Sequence, residues 1–242
     1  LLPDPGLLVR PALRREARST SALEGTYATL EEVLEADYVE EANRTAEVRE
    51  VLNYVRAAEQ ALRLIESKPI CLNVIAQLQA TLVDKTRGDS FDKGRLRESN
   101  VYIGERSKGI EASRFVPPPF GDPLIEGVSE WEKWIHAEDD YPLLIKIAMA
   151  HYQFETLHPF SDGNGRLGRL IVTLQLVTAG ALTPASAGSR GVSVRGARRI
   201  SGGAKRERRV PSSTSCGSGP YFSSAARAAA LLAAKSSRCV PE

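Results

Sequence analysis

One stretch of twelve residues concentrates the groups that can do chemistry: His158-Pro159-Phe160-Ser161-Asp162-Gly163-Asn164-Gly165-Arg166-Leu167-Gly168-Arg169. His158 is a base that titrates near neutrality. Pro159 disfavours helical geometry at the residue before it, so a helix arriving here ends at the histidine. Gly163 and Gly165 permit left-handed dihedrals and close backbone approach. A new helix then starts, and its first N–H groups have no internal partner and carry the positive end of the helix dipole. A glycine-rich loop leading into a helix N-terminus is an anion cradle suited to phosphate. Arg166 and Arg169, three residues apart, lie on neighbouring turns of one face and offer donor forks to phosphate oxygens. Asp162 is an oxygen ligand able to hold Mg²⁺, a cation usually bound by one or two carboxylates plus substrate phosphates. Each feature alone is commonplace. Packed together, they describe a phosphate site beside a base.

The elements that must position this loop read as helices. Val48, Val51, Leu52, Val55, Ala58, Leu62 and Ile65 repeat at three and four, one buried stripe on a helix from 46 to 66. Lys68-Pro69 breaks it. Ile75, Leu78 and Leu82 predict a second helix, ended by the turn at Arg87-Gly88-Asp89. Val101-Tyr102-Ile103-Gly104 and Arg114-Phe115-Val116-Pro117-Pro118 flank a polar loop and read as a small β-hairpin. Further helices are predicted over 124–136 and from Pro142, in the first turn, to Thr156. The last runs from Gly165 to Ala179 and stops at Gly180. The fold class is all-α, with one hairpin.

Composition sets the outer bounds. The chain has 242 residues with 32 Lys+Arg and 30 Asp+Glu. Residues 183–242 hold 11 basic and 2 acidic side chains, which leaves 21 basic against 28 acidic in residues 1–182. A wholly basic nucleic-acid surface is therefore excluded, and nucleic acid would have to be met through the tail. The apolar stretches Leu143–Ala150 and Leu170–Val177 fall far short of the roughly 20 residues of a spanning helix. Prolines and acids interrupt the N-terminus where a signal peptide needs an apolar run, and the chain does not begin with Met, as one that starts inside a longer protein would not. Cys71, Cys216 and Cys239 form no disulfide framework or metal spacing, so a reducing, cytoplasmic setting is expected. Ser, Ala, Arg and Gly make 39 of the 60 residues from Thr183, too little apolar surface to offset ordering. Two readings of this tail stay open. One is a natural disordered basic segment; the other is out-of-frame translation of a GC-rich, bacterial gene.

The twelve-residue stretch resembles the His-Pro-Phe-x-[Asp/Glu]-Gly-Asn-Gly-Arg-x-x-Arg signature of the Fic (Fic/Doc-type) family and matches every fixed position. Val48–Tyr54 and Ala150–Glu155 look like the family helices that flank the site, and Phe115–Pro119 like the end of its flap hairpin. The resemblance covers residues 8–182. It implies an N-terminal segment (1–45), a Fic core (46–182) and an unrelated tail (183–242). It also implies transfer of AMP from ATP to a Ser, Thr or Tyr hydroxyl of a target protein, with release of pyrophosphate. His158 would deprotonate the hydroxyl, and Asp162 would hold Mg²⁺. Gly163, Asn164 and Gly165 would form the anion loop, with Arg166 and Arg169 on the distal phosphates. The hairpin over 100–118, including Val101, Tyr102, Ile103 and Gly104, would clamp an extended target segment.

Thr20-Ser21-Ala22-Leu23-Glu24-Gly25 resembles the inhibitory [Ser/Thr]-x-x-x-Glu-[Gly/Asn] motif of one class of the family. The resemblance implies an inhibitory helix in which Thr20, Glu24 and Gly25 are the motif's fixed positions and Glu24 pairs with Arg169 and blocks the productive γ-phosphate position. The alternative is a capped helix end with Gly25 at its C-terminus. Some members also use this glutamate to support removal of AMP, and the signature specifies phosphates better than it specifies the base. Another donor, or the reverse direction, is thus an alternative. The helices that normally follow the signature have no counterpart after Leu182. An inactive truncated remnant, or a basic-tailed binding protein, is the alternative of another class. Exposed helical faces leave room for a homodimer.

Overall fold

The computed structural model describes residues 6–103 and 113–182. Gly104 and the tail from Thr183, with Cys216 and Cys239, lie outside the described residues. Seven α-helices follow one another among the described residues: α1 (Gly6–Leu23), α2 (Leu30–Glu35), α3 (Ala46–Leu64), α4 (Leu72–Val83), α5 (Asp122–His136), α6 (Leu143–Leu157) and α7 (Asn164–Thr178). None is long and apolar enough to cross a membrane.

The apolar periodicity explains the central helices. Thr45 caps α3, its hydroxyl accepting from the Val48 N–H at 3.2 Å. The stripe of α3 buries Val51, Ala58 and Ala61 against Ile75, Leu78 and Leu82 of α4, in one cluster with Phe154 and Leu157 of α6 and Leu167, Leu170 and Leu174 of α7. Trp131 of α5 is fully buried, and its indole N–H donates to the Ala150 carbonyl at 2.9 Å. A buried Trp is tolerated here because its one donor is satisfied. The C-terminus of α7 is closed by a double turn, with Gly180 N–H on Val177 O and Ala181 N–H on Leu176 O and Gly180 at φ +70°.

Several boundaries differ from the sequence expectation for physical reasons. α4 ends at Val83, before the turn at Arg87-Gly88-Asp89, because Asn53 of α3 donates to the carbonyls of Leu82 and Asp84 and so draws the chain out of the helix. Pro142 sits at the cap of α6, one residue before its first turn. Among the described residues, the hairpin shows one antiparallel bridge, between Ile103 and Phe115. One leg continues into Pro117-Pro118-Pro119, which has no N–H to extend a ladder.

Two helices escaped the periodicity. α1 runs through Pro11, and its far end buries Ala17, Thr20 and Ser21. α2 carries a capping box: the Thr29 hydroxyl accepts from the Glu32 N–H while the Glu32 carboxylate accepts from the Thr29 N–H.

Helices α6 and α7 approach closely because residue 168 has no side chain. A Cβ on Gly168 would lie 2.4 Å from Glu155 Oε1 and 2.9 Å from His151 Cε1. Gly168→Ala should therefore destabilise the fold by about 1–3 kcal/mol through overpacking, although alanine favours helices. Urea unfolding measures it, and a neutral or stabilising result would contradict this packing.

Candidate active site

The loop between α6 and α7 is built around two residues with positive φ. His158 caps α6 in the left-handed region (φ 46°, ψ 60°), and Gly163 precedes α7 at φ 83°. A left-handed histidine is uncommon and must be held by its surroundings. Asn164 supplies part of the hold: its side chain accepts from the Phe160 N–H at 3.0 Å and donates to the Phe160 carbonyl at 2.7 Å. Phe160 itself is fully buried in the core cluster. The Asn164 side chain thus laces the loop, and what it offers an anion is its backbone N–H.

That N–H belongs to an open helix end. No side chain caps α7, and its first main-chain bond within the helix is Leu167 N–H to Gly163 O. The N–H groups of Asn164, Gly165 and Arg166 have no described partner, which leaves three donors and the dipole facing a cavity of about 660 Å³. His158, Asp162, Gly163, Asn164, Gly165 and Arg166 line this cavity together with Glu24, Arg87, Gly88 and Ser90.

The two arginines are held differently. Arg166 is almost wholly buried and lies 3.4 Å from Glu50 Oε2, with Asp162 Oδ1 3.9 Å away. Arg169 turns toward α1. Its Nε donates to the Thr20 hydroxyl at 2.5 Å, and its Nη2 donates to the Thr20 carbonyl at 3.1 Å and to Glu24 Oε1 at 2.6 Å. Thr20 and Glu24 are placed by the end of α1, where Gly25 N–H bonds Ala22 O and Thr26 N–H bonds Ser21 O, with Gly25 at φ +80°. This is a Schellman ending, and Gly25 occupies the position that requires a left-handed residue. The Glu24 carboxylate then comes to rest on the first turn of α7: a Cβ on Gly165 would lie 2.2 Å from Glu24 Oε1.

Sequence reading missed several residues that hold these groups. Arg97 is buried, its Nε donating to the His158 carbonyl at 2.8 Å and its own N–H to the Pro159 carbonyl at 3.0 Å. Asp92 is also buried and accepts hydrogen bonds from Ser161 and Ser90. Burial alone would raise its pKa, but these donors bring it below the ordinary value. Gln79 joins the Gly94 N–H to the Asp162 carbonyl. Glu50 accepts from Thr26 at 2.6 Å and pairs with Arg87 at 3.4 Å as well as with Arg166. Only buried polar residues inside apolar patterning, such as Glu50 and Asn53 on α3, could have signalled these roles. Of the flap residues, Val101, Tyr102 and Ile103 are partly exposed at its base, outside the cavity lining.

A divalent cation can be weighed against these donors. No group of three or more His, Cys, Asp or Glu side chains able to hold a metal occurs among the described residues. Asp162 does present a carboxylate whose side chain is 42% exposed on the cavity, and its Oδ2 occupies the space a Gly88 Cβ would fill. A hard oxygen donor of this kind fits Mg²⁺, which takes few protein ligands and completes its shell with phosphate and water.

Comparison with known proteins agrees with this geometry. Residues 1–63 match the Fic/DOC family N-terminal model and residues 69–176 the Fic/DOC family model. The chain belongs to the Fic/DOC family. It is 37% identical over 94 residues to the protein adenylyltransferase Fic of Culex quinquefasciatus, covering 38% of this chain and 17% of that protein. The Drosophila grimshawi protein of the same name is 29% identical over 166 residues, covering 67% of this chain and 31% of the relative. The chain thus spans less than a third of these relatives. A Fic family protein from Desulfovibrio desulfuricans is similar in structure, with a TM-score of 0.60 at 27% identity over 74% of this chain and 51% of that one. A Fic domain protein from Bacteroides thetaiotaomicron shares the fold at a TM-score of 0.61 and 19% identity, over 74% of this chain and 68% of that one.

Burial, and then the Arg97 guanidinium, push the His158 pKa below its ordinary value, against the pull of Asp162 and Glu24. The sign of the consequence follows. The folded state binds fewer protons than the unfolded state below about pH 6.5, so stability is lost as pH falls through that value and is unaffected above it. Urea unfolding at pH 7.5 and 5.5 should show a smaller acid loss in His158→Gln than in the parent. Equal losses would show that the folded protein does not resist protonation of this ring.

Proposed function

We propose that this chain transfers AMP from ATP to a hydroxyl of a target protein, and that Glu24 holds the reaction in check. The observation that carries the reading is the placement of the His158 imidazole, its pKa lowered by burial, beside an open helix N-terminus and Arg166 on a single cavity, with Arg169 one turn further along α7 and bound to Glu24 of the same lining. In the reaction the target hydroxyl oxygen attacks the α-phosphorus. The hydroxyl proton passes to His158, and the bond from the α-phosphorus to the bridging oxygen breaks as pyrophosphate leaves. Such a transfer depends on alignment and charge neutralisation more than on covalent help from the protein. The N–H groups of Asn164, Gly165 and Arg166 would bind phosphate oxygens, with Arg166 and Arg169 adding charge. Asp162 would hold Mg²⁺, which supplies neutralisation of the phosphate charge. Residues 46–182 form the catalytic core on this reading, residues 1–45 regulate it, and the flap over 100–118 presents the target.

Restraint follows from the position of Glu24. Its carboxylate occupies the first turn of α7 and uses a donor of Arg169, both of which a phosphate needs. A carboxylate and a phosphate cannot share that place, because like charges repel at contact.

Glu24→Gly should raise Mg²⁺-dependent labelling of protein from α-labelled ATP by at least about tenfold, equivalent to about 1.4 kcal/mol. His158→Ala in that background should abolish it. Labelling that is equal in all three proteins would sink the proposal.

A further inference from the structure

Arg97 is 2% exposed and, among the described residues, has no carboxylate partner. A guanidinium buried without a counter-charge is expensive, and burial lowers its pKa from the ordinary value. What it has instead is carbonyls. Nε donates to His158 O at 2.8 Å, Nη1 to Ser99 O at 2.9 Å, and Nη2 to Pro118 O at 2.6 Å and Leu157 O at 3.4 Å. These acceptors come from three segments. Ser99 and Pro118 are the two legs of the flap, just below the Ile103–Phe115 bridge. Leu157 and His158 form the end of α6. The legs are further joined by Asn100 Oδ1, which accepts from the Phe120 N–H at 3.1 Å.

We propose that Arg97 is a positioning residue whose buried fork ties both legs of the flap to the left-handed turn at His158, so that the segment presenting the target and the base that deprotonates it are held in one fixed register. The planar guanidinium is suited to this task, since its donors leave in fixed directions and meet several acceptors at once. A lysine carries the same charge but has no such fork. The proposal rests on the reading of His158 as the base, and the geometry it concerns can be measured apart from activity.

Amide hydrogen exchange and NMR titration of the three histidines test it in the full chain. In Arg97→Gln the Ile103 and Phe115 amides should exchange at least ~10-fold faster, while core amides such as Val55 and Leu78 keep their protection. The titrating groups that face His158 are Asp162 and Glu24, with Arg97 opposing them. Its midpoint should therefore rise when Arg97 is lost, with those of His136 and His151 unmoved. Should Arg97→Gln unfold, Arg97→Lys decides: the His158 midpoint should stay near the parent value while the flap-base amides still lose protection. Parent-like exchange at Ile103 and Phe115 in a folded Arg97 variant overturns the proposal.

In the Glu24→Gly background, Arg97→Lys should lower kcat for AMP transfer on the order of 10-fold to 100-fold, with KM for ATP within about 2-fold. An unchanged kcat would also overturn it. Silence of Glu24→Gly itself would count against AMP transfer alone, and exchange and titration would still decide the role of Arg97.

Discussion

A helix that begins without a capping side chain must find partners for its first N–H groups elsewhere, and the structure depends on how α7 meets that requirement. Gly163 turns the chain so that the N–H groups of Asn164, Gly165 and Arg166 face the cavity. The Asn164 side chain caps none of them, because it is committed to both main-chain groups of Phe160. The end of α7 is thereby kept open by the same bonds that fix the loop. Phe160 in the core anchors the loop from below, and His158 closes α6 from the other side in a conformation only its neighbours can enforce.

Around this turn the charges of Arg166, Asp92 and Arg97 are buried, and each has ionic or hydrogen-bonding partners. Arg166 lies on Glu50, which also takes the Thr26 hydroxyl and Arg87. Asp92 is satisfied by two serines and Arg97 by four carbonyls. Burying such groups costs free energy unless every donor and acceptor is used, and the benefit lies in geometry more than in stability. Arg97 also acts through charge, adding to burial in lowering the His158 pKa. Under the proposed function His158 is a base and must be neutral to accept a proton, so positioning and pKa would be served by one residue.

Much of this was legible in the sequence. The stripes of α3 and α4 and the stop at Gly180 came from periodicity and turn chemistry, and the twelve-residue stretch carries its own loop geometry in Pro159, Gly163 and Gly165. The rest was not legible from periodicity. α1 was implied only by the resemblance at residues 20–25, since Pro11 interrupts the pattern and packing at Ala17, Thr20 and Ser21 offsets the lost main-chain bond. The flap reads as a two-stranded hairpin by alternation, and of its pairing the Ile103–Phe115 bridge lies among the described residues. The holding roles of Arg97, Asp92 and Gln79 depend on contacts across tens of residues, for which no local pattern exists, and Glu50 is marked only by its place inside an apolar stripe. Gly168 was equally silent, since its requirement comes from His151 and Glu155 one helix away.

Under the proposed function, the arrangement at α1 limits how restraint could be lifted. Ala17 and Ser21 are fully buried and Thr20 nearly so, and Thr20 holds Arg169 through both its hydroxyl and its carbonyl. Moving the helix away would open the core and strand Arg169. The Glu24 side chain is different: it is 38% exposed, sits at the very end of α1, and is bound through one oxygen. A partly exposed ion pair is worth on the order of 1 kcal/mol, which is within reach of a phosphate that brings more charge to the same donors. Under the proposed function, the economical release is therefore a swing of the Glu24 carboxylate alone. The Schellman turn at Gly25 and the Thr26–Glu50 bond would keep the backbone of α1 in place throughout. Arg169, still oriented by Thr20, would then be ready for phosphate as soon as the carboxylate leaves.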